Sequence, residues 1–203
     1  MQRIPIHHQH PNIRNIKLAV SALQNGEVIS YPTDTVYGLG CDYTQKKAIE
    51  RLYSVKELPK HHHSTFLCAE ISQISELALF SNRAFRLMKR LLPGPYTFIL
   101  DASRQVPNTL LNKQKTVGVR IPGHEVPQAL VREMGRPIIT TSASSADGEM
   151  LGDPDELEEL YRRGLSVLLD GGFIRAEPST VISLVGDTIE IIRVGKGPVD
   201  DIL

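Results

Sequence analysis

The 203-residue chain has no tryptophan, two cysteines, only 5% aromatic residues and no excess charge of either sign. With so few rings there is little material for an aromatic cage around a cation. Cys41 and Cys68 have no metal-ligand spacing around them and do not make a disulfide framework, a usage that fits a reducing cytosol. Lys plus Arg and Asp plus Glu each number 23, so the formal net charge is zero. This argues against a fold organised around nucleic-acid electrostatics, and leaves room for a local basic patch. No uninterrupted apolar run is long enough to cross a bilayer, and MQRIPIHHQH lacks the apolar core of a secretory signal. The expected location is cytoplasmic, with no membrane partner. Neither G-x-G-x-x-G nor G-x-x-x-x-G-K-[ST] occurs, so both common phosphate loops are absent. Internal repeats and low-complexity linkers are missing as well.

What is present is ordinary globular material, 41% apolar and 23% charged, enough for one buried core. One domain over 1–203 is expected, with its core at about 13–195 and no additional C-terminal domain. Helical spacing of Ile13, Ile16, Val20 and Leu23 predicts a helix closed by Asn25-Gly26. A second helix is marked by Ala48, Ile49, Leu52 and Tyr53, with Thr44 as N-cap. Ile71 to Ala78 reads as a helical turn or two, and Phe85 to Leu91 as a helix stopped by Pro93-Gly94-Pro95. Further helices are expected near Pro107 to Leu111, over Val126 to Met134 and over Pro154 to Arg163; the last has acidic residues in its first turn. Strands are predicted at Val28 to Tyr31, Thr65 to Cys68, Tyr96 to Leu100, Val117 to Ile121, Pro137 to Thr141, Val167 to Leu169, Thr180 to Leu184 and Ile189 to Val194. The last two form a hairpin across Gly186-Asp187. This alternation indicates an α/β protein with a mixed, twisted sheet; the late run of strands argues against a purely parallel order.

The segment Tyr31 to Asp42, YPTDTVYGLGCD, follows a short apolar strand and is rich in hydroxyls and glycine. It reads as a loop at a strand end, where α/β sheets place their ligands, or as a turn with capping hydroxyls. Five other segments carry chemistry at strand ends or in loops: Lys56 before Pro59, Pro93-Gly94-Pro95, Arg120 in VGVRIP, Thr140 to Ser144 in TTSAS, and Ser179-Thr180 with Arg193. Lys56, Arg120 and Arg193, from separate elements, would converge on an anion, arginine as a planar fork and lysine as a point charge. The hydroxyls of Thr35, Ser142, Ser144 and Ser179 suit phosphate oxygens or a polar amino acid. Each segment alone reads equally well as a surface ion-pair partner or a strand exit.

Taken in order, YPTDTVYGLGCD, PGPYTFIL, VGVRIP, TTSAS, PSTVI and IIRVG resemble the YrdC-type threonylcarbamoyl-AMP synthase family, and most closely its YciO branch, over roughly Ile16 to Gly195. The resemblance implies a YrdC/RibB-like single-domain twisted sheet with a large concave, positively charged cavity. It implies threonylcarbamoyl-AMP formation from L-threonine, bicarbonate and ATP, with Mg²⁺ accompanying ATP and no organic cofactor, feeding a tRNA modification. It also implies double-stranded RNA or tRNA as a partner. By this match Thr35, Arg120, Thr140 and Ser179 face L-threonine, and Lys56, Thr116, Ser142, Ser144 and Arg193 face ATP and its phosphates. No metal site made by the protein alone is expected.

The chain departs from the family pattern at defined places. The K-x-R motif reads Lys56-Glu57-Leu58, and S-x-N reads Ser142-Ala143-Ser144. A histidine near the threonine site is replaced by Cys68, and the His61 to His63 segment is one residue longer. Leucine for arginine removes a guanidinium fork, and serine for asparagine removes a two-donor amide. These losses fall on the nucleotide side and bring forward the alternative of a non-catalytic RNA- or nucleotide-binding protein. Arg83, Arg86 and Arg90, with Lys89, form one basic helix face, either solvated or tracking RNA phosphates. His61 to His63 is either a solvated loop or a metal tract.

Overall fold

The computed structural model describes residues 1–57, 65–107, 110–200 and 202. Leu58 and His61 to His63 lie outside these, as does part of the helix expected near Pro107 to Leu111. Among the described residues six α-helices and eleven strands form the fold: β1 (Gln2–Pro5), α1 (Ile13–Gln24), β2 (Ile29–Tyr31), β3 (Gly38–Cys41), α2 (Lys46–Val55), β4 (Thr65–Leu67), α3 (Ile71–Leu77), β5 (Ala78–Leu79), α4 (Asn82–Leu91), β6 (Tyr96–Ala102), β7 (Thr116–Arg120), α5 (Glu125–Met134), β8 (Ile138–Ser142), α6 (Pro154–Tyr161), β9 (Val167–Asp170), β10 (Thr180–Ser183) and β11 (Glu190–Arg193). They make one mixed sheet in the order β1-β9-β2-β3-β8-β4-β7-β6-β10-β11, with β5 paired to β6. The pairs β1/β9, β2/β9, β4/β7 and β6/β10 are parallel and the rest antiparallel. The β10/β11 hairpin turns through Gly186 and Asp187, both at positive φ.

The two faces of the sheet are covered unequally. On one, Phe66, Phe98, Val119 and Ile139 pack with Leu52 of α2, Ile74 of α3, Met88 of α4 and Leu157 of α6 in the larger core. On the other, Ile29, Tyr31, Leu67 and Ile138 pack with Ile16 and Leu23 of α1 and Leu130 of α5. Two helices cover only part of this second face. Because side chains alternate along a strand, the uncovered remainder presents every second residue of β4, β6, β7 and β8 to an open hollow.

Two expectations are corrected. The loop reading of Tyr31 to Asp42 holds only for its first half. Gly38–Cys41 is a wholly buried strand between β2 and β8. Its glycines are required by contact: a Cβ at Gly38 would lie 2.8 Å from Tyr31 Cε2, and one at Gly40 3.0 Å from Tyr31 Cε1. Tyr31 is itself fully buried. We expect Gly38→Ala to cost about 1–3 kcal/mol through overpacking, read as a lower urea midpoint. A midpoint unchanged from wild type would contradict the packing role. Thr44 is not the N-cap of α2. Gln45 holds that position, and the Thr44 amide and hydroxyl both donate to buried Asp42 Oδ1, at 3.0 and 2.8 Å. The sheet also extends beyond the expected core, since β1 adds an edge strand parallel to β9.

His124 caps α5, its Nδ1 accepting from the Val126 amide at 3.2 Å. A neutral ring accepting at Nδ1 carries its proton on Nε2, which therefore donates to His8 Nδ1 at 2.8 Å. Burial, then His8, pushes the His124 pKa down to about 4. The unfolded chain takes up a proton near 6.5 that the folded chain refuses, so this contribution is full above 6.5 and is lost as pH falls toward 4. His124→Asn should flatten the stability slope across that window in urea titrations; an unchanged slope would refute the assignment.

Candidate functional site

The open hollow is a cavity of about 400 Å³. Alternation along four strands builds its floor. Thr65 and Leu67 come from β4, Thr97 and Ile99 from β6, Gly118 and Arg120 from β7, and Thr140 and Ser142 from β8. The register aligns them: Thr65 faces Thr140 on one side and Gly118 on the other, and Leu67 faces Arg120. Thr33, Val36, Lys56, Ser144, Met150, Ser179, Val181 and Arg193 close the walls. Among the described lining residues eight are Thr or Ser, three are cationic and none is acidic.

Arg120, at the end of β7, is only 7% exposed. Its Nη2 pairs with Asp34 Oδ1, while Asp34 Oδ2 accepts the Gly123 amide at 2.8 Å. Its Nε is buried without a hydrogen-bond partner. A buried donor of this kind costs about 1–3 kcal/mol if left unmade. Burial weakens the hold of Arg120 on its proton, with Asp34 opposing. Arg193 lines the same cavity, and burial, then repulsion from Arg120, lowers its pKa. Arg193 Nη2 donates to the Ser179 carbonyl at 2.8 Å and Nε to the same oxygen at 3.2 Å; Ser179 Oγ lies 2.9 Å from Thr97 Oγ1.

Lys56 follows the last turn of α2, and its Nζ donates to the carbonyl of Ser144, at 3.0 Å, and to its hydroxyl. Desolvation lowers the Lys56 pKa. Thr140 Oγ1 donates to the Leu39 carbonyl at 3.2 Å and so accepts from Tyr31 OH at 2.6 Å. The ring that fills the space over the two glycines thereby fixes a cavity hydroxyl.

Of the nine residues expected at the small-molecule site, seven line this cavity: Lys56, Arg120, Thr140, Ser142, Ser144, Ser179 and Arg193. Thr35 and Thr116 do not. Thr35 is buried beside Thr33; the Thr33 hydroxyl donates to the Val36 carbonyl at 2.6 Å and so accepts from Thr35 Oγ1 at 3.1 Å. Thr33 takes the lining place instead. Thr116 shares the face of Arg120 but is engaged by Asn112, whose Nδ2 donates to its hydroxyl at 2.8 Å and whose Oδ1 accepts its amide at 2.9 Å. Thr65 and Thr97 were not anticipated; the apolar Phe66 and Phe98 beside them were the available signal. Arg83, Arg86, Lys89 and Arg90 lie on the exposed side of α4 and are not cavity residues. Among the described residues no group of three or more His, Cys, Asp or Glu is placed to hold a metal, and no helix is long and apolar enough to cross a membrane.

This fold and cavity have known counterparts. The Sua5/YciO/YrdC family model, described as telomere recombination, matches residues 21–195. The uncharacterised protein YciO of Escherichia coli is 39% identical over 200 residues, covering 98% of this chain and 97% of that one. Its crystal structure superposes with a TM-score of 0.93 over 98% of each chain. A threonylcarbamoyl-AMP synthase of Vibrio vulnificus is 30% identical over 162 residues, 78% of this chain and 87% of its own. Sua5 of Pyrococcus abyssi, solved with L-threonine, is 30% identical with a TM-score of 0.85, over 91% of this chain and 54% of its own. With the family match spanning most of the sheet and every wall of the cavity just described, the chain belongs to the Sua5/YciO/YrdC family.

Proposed function

We propose that this cavity binds L-threonine and the phosphates of ATP, and that the chain forms threonylcarbamoyl-AMP slowly, in support of tRNA modification. The observation that carries the reading is Arg120: a buried guanidinium with an unpartnered Nε, in a cavity whose described lining holds two further cations and no acid. The synthase from Vibrio vulnificus and the L-threonine complex of Pyrococcus Sua5 supply the substrate class.

In this reading Arg120, with Ser179 and Thr97 in the same lining, takes the threonine carboxylate, and Lys56, Ser142 and Arg193 face the triphosphate. The threonine amine adds to the bicarbonate carbon, and loss of water leaves a carbamate. A carbamate oxygen then attacks the α-phosphorus as the bond to pyrophosphate breaks. Both partners are anions, so fixed cations must offset their repulsion and the charge growing on phosphorus and the leaving group. With no described carboxylate in the lining, Mg²⁺ would travel on the triphosphate and share that task.

A second reading, a non-catalytic nucleotide- or RNA-binding protein, is favoured by Leu58 and Ser144, which stand where the family pattern has donors. The test is direct mass-spectrometric detection of threonylcarbamoyl-AMP after incubation with ATP, Mg²⁺, L-threonine and bicarbonate. Product that depends on Arg120 supports synthesis. Absence of product from folded protein that still binds nucleotide supports the binding role.

A further inference from the structure

Lys56 is a cation of the cavity held by neutral partners. No carboxylate pairs with it among the described residues, and burial alone lowers its pKa. Two of the three donors of its ammonium are nonetheless used, both by Ser144, through the carbonyl at 3.0 Å and through the hydroxyl. The same carbonyl also accepts the Tyr161 hydroxyl at 2.5 Å, so the acceptor is held in place from behind. Ser144 sits on a narrow flap after β8. It bridges Met150, Ser145 N donates to the Glu149 carbonyl at 2.8 Å, and Ala143 N donates to the Tyr37 carbonyl at 2.8 Å. Lys56 and Ser144 both line the cavity, and their contact therefore ties the end of α2 to this flap across the cavity wall.

We propose that Ser144 is an affinity-setting residue: it holds the Lys56 ammonium in a latch, and an oxyanion on this side of the cavity binds by taking the ammonium away from the Ser144 hydroxyl. The inference rests on the reading of the cavity as an anion site and adds the residue that tunes it. A neutral hydroxyl and carbonyl are weaker partners for an ammonium than a phosphate oxygen, because the phosphate adds the attraction of a full opposite charge in a partly buried site. The latch thus yields to a polyphosphate and resists an uncharged ligand, and every phosphate contact with Lys56 is reduced by the bonds it displaces. Ser144 acts through Lys56 and is a positioning residue.

The test uses inorganic pyrophosphate and calorimetric titration of the full chain. Ser144→Ala should bind about 3- to 10-fold more tightly than wild type, the size of one net hydrogen bond. Ser144→Thr, which keeps the hydroxyl, should stay near wild type, and Lys56→Ala in the Ser144→Ala background should abolish the gain. Binding by Ser144→Ala where wild type shows none would also support the latch. Equal or weaker binding by Ser144→Ala, with Lys56→Ala still harmful, would overturn the latch and leave the anion site standing. Indifference to Lys56→Ala in both backgrounds, or no binding by any variant, would remove the anion site and the latch with it. A ligand-free measurement guards against a general packing effect. Oxygen acceptors favour the charged amine, so the rate of Lys56 acetylation by a mild acylating reagent should rise in Ser144→Ala and not in Ser144→Thr. An unchanged rate in Ser144→Ala would overturn the proposal.

Discussion

Arg120→Ala should lower threonylcarbamoyl-AMP formation by about 10²–10³-fold, the usual loss when one preorganised donor to a developing or bound charge is removed. The substitution also strands Asp34, whose side chain is only 13% exposed. Removing one partner of a buried ion pair costs about 3–5 kcal/mol, so a loss of activity from Arg120→Ala alone mixes binding with folding. The double change Arg120→Ala with Asp34→Asn separates them, because the remaining amide carries no charge. This variant should regain most of the thermal stability and none of the activity. Arg120→Lys should keep the charge but lose the planar fork and the Nε donor, and should sit close to the alanine variant in rate. Activity of the double variant within a few-fold of wild type would show that the carboxylate binds elsewhere.

The second large effect runs in the opposite direction. Leu58→Arg combined with Ser144→Asn should raise the rate of product formation by about 10-fold or more, since each change restores a donor type that the family pattern carries at that position. Ser144→Asn replaces the hydroxyl that engages Lys56 with an amide whose nitrogen can donate to phosphate while its oxygen can still accept from the ammonium, so the single change also reads how far Lys56 is released. Steady-state rates at saturating and limiting ATP distinguish the two contributions: release of Lys56 acts mainly on KM, and a donor used only in the transition state acts on kcat. No gain in either parameter would mean that the cavity has been shaped for a different acyl group or nucleotide.

Most helices and strands were legible because their apolar periods are clean. Ile16, Val20 and Leu23 mark one face of α1, and the β10/β11 hairpin follows from two apolar runs around Gly186-Asp187. The chain hid β3, whose residues Gly38–Cys41 include two glycines and carry no local strand preference. They form a strand by pairing with β2 and β8, with the Tyr31 ring lying across the glycines, contacts that no local window contains. The site was legible where family motifs coincide with strand ends, as at Arg120 and Ser142. It was less legible where a hydroxyl serves its own backbone: Thr33 and Thr35 are two residues apart in one turn, and only the turn's hydrogen bonds decide which of them lines the cavity.

The split between the two faces of the sheet also bears on how such a protein changes during evolution. Along β4 and β6 the residues that line the cavity, Thr65, Thr97 and Ile99, are interleaved with Phe66 and Phe98, which hold the core. Mutation can sample one set while the other stays fixed, so substrate preference can drift without a toll on foldability. A lineage that lost donors beside the nucleotide would keep an intact scaffold, and its abandoned chemistry would stay within a few substitutions of return.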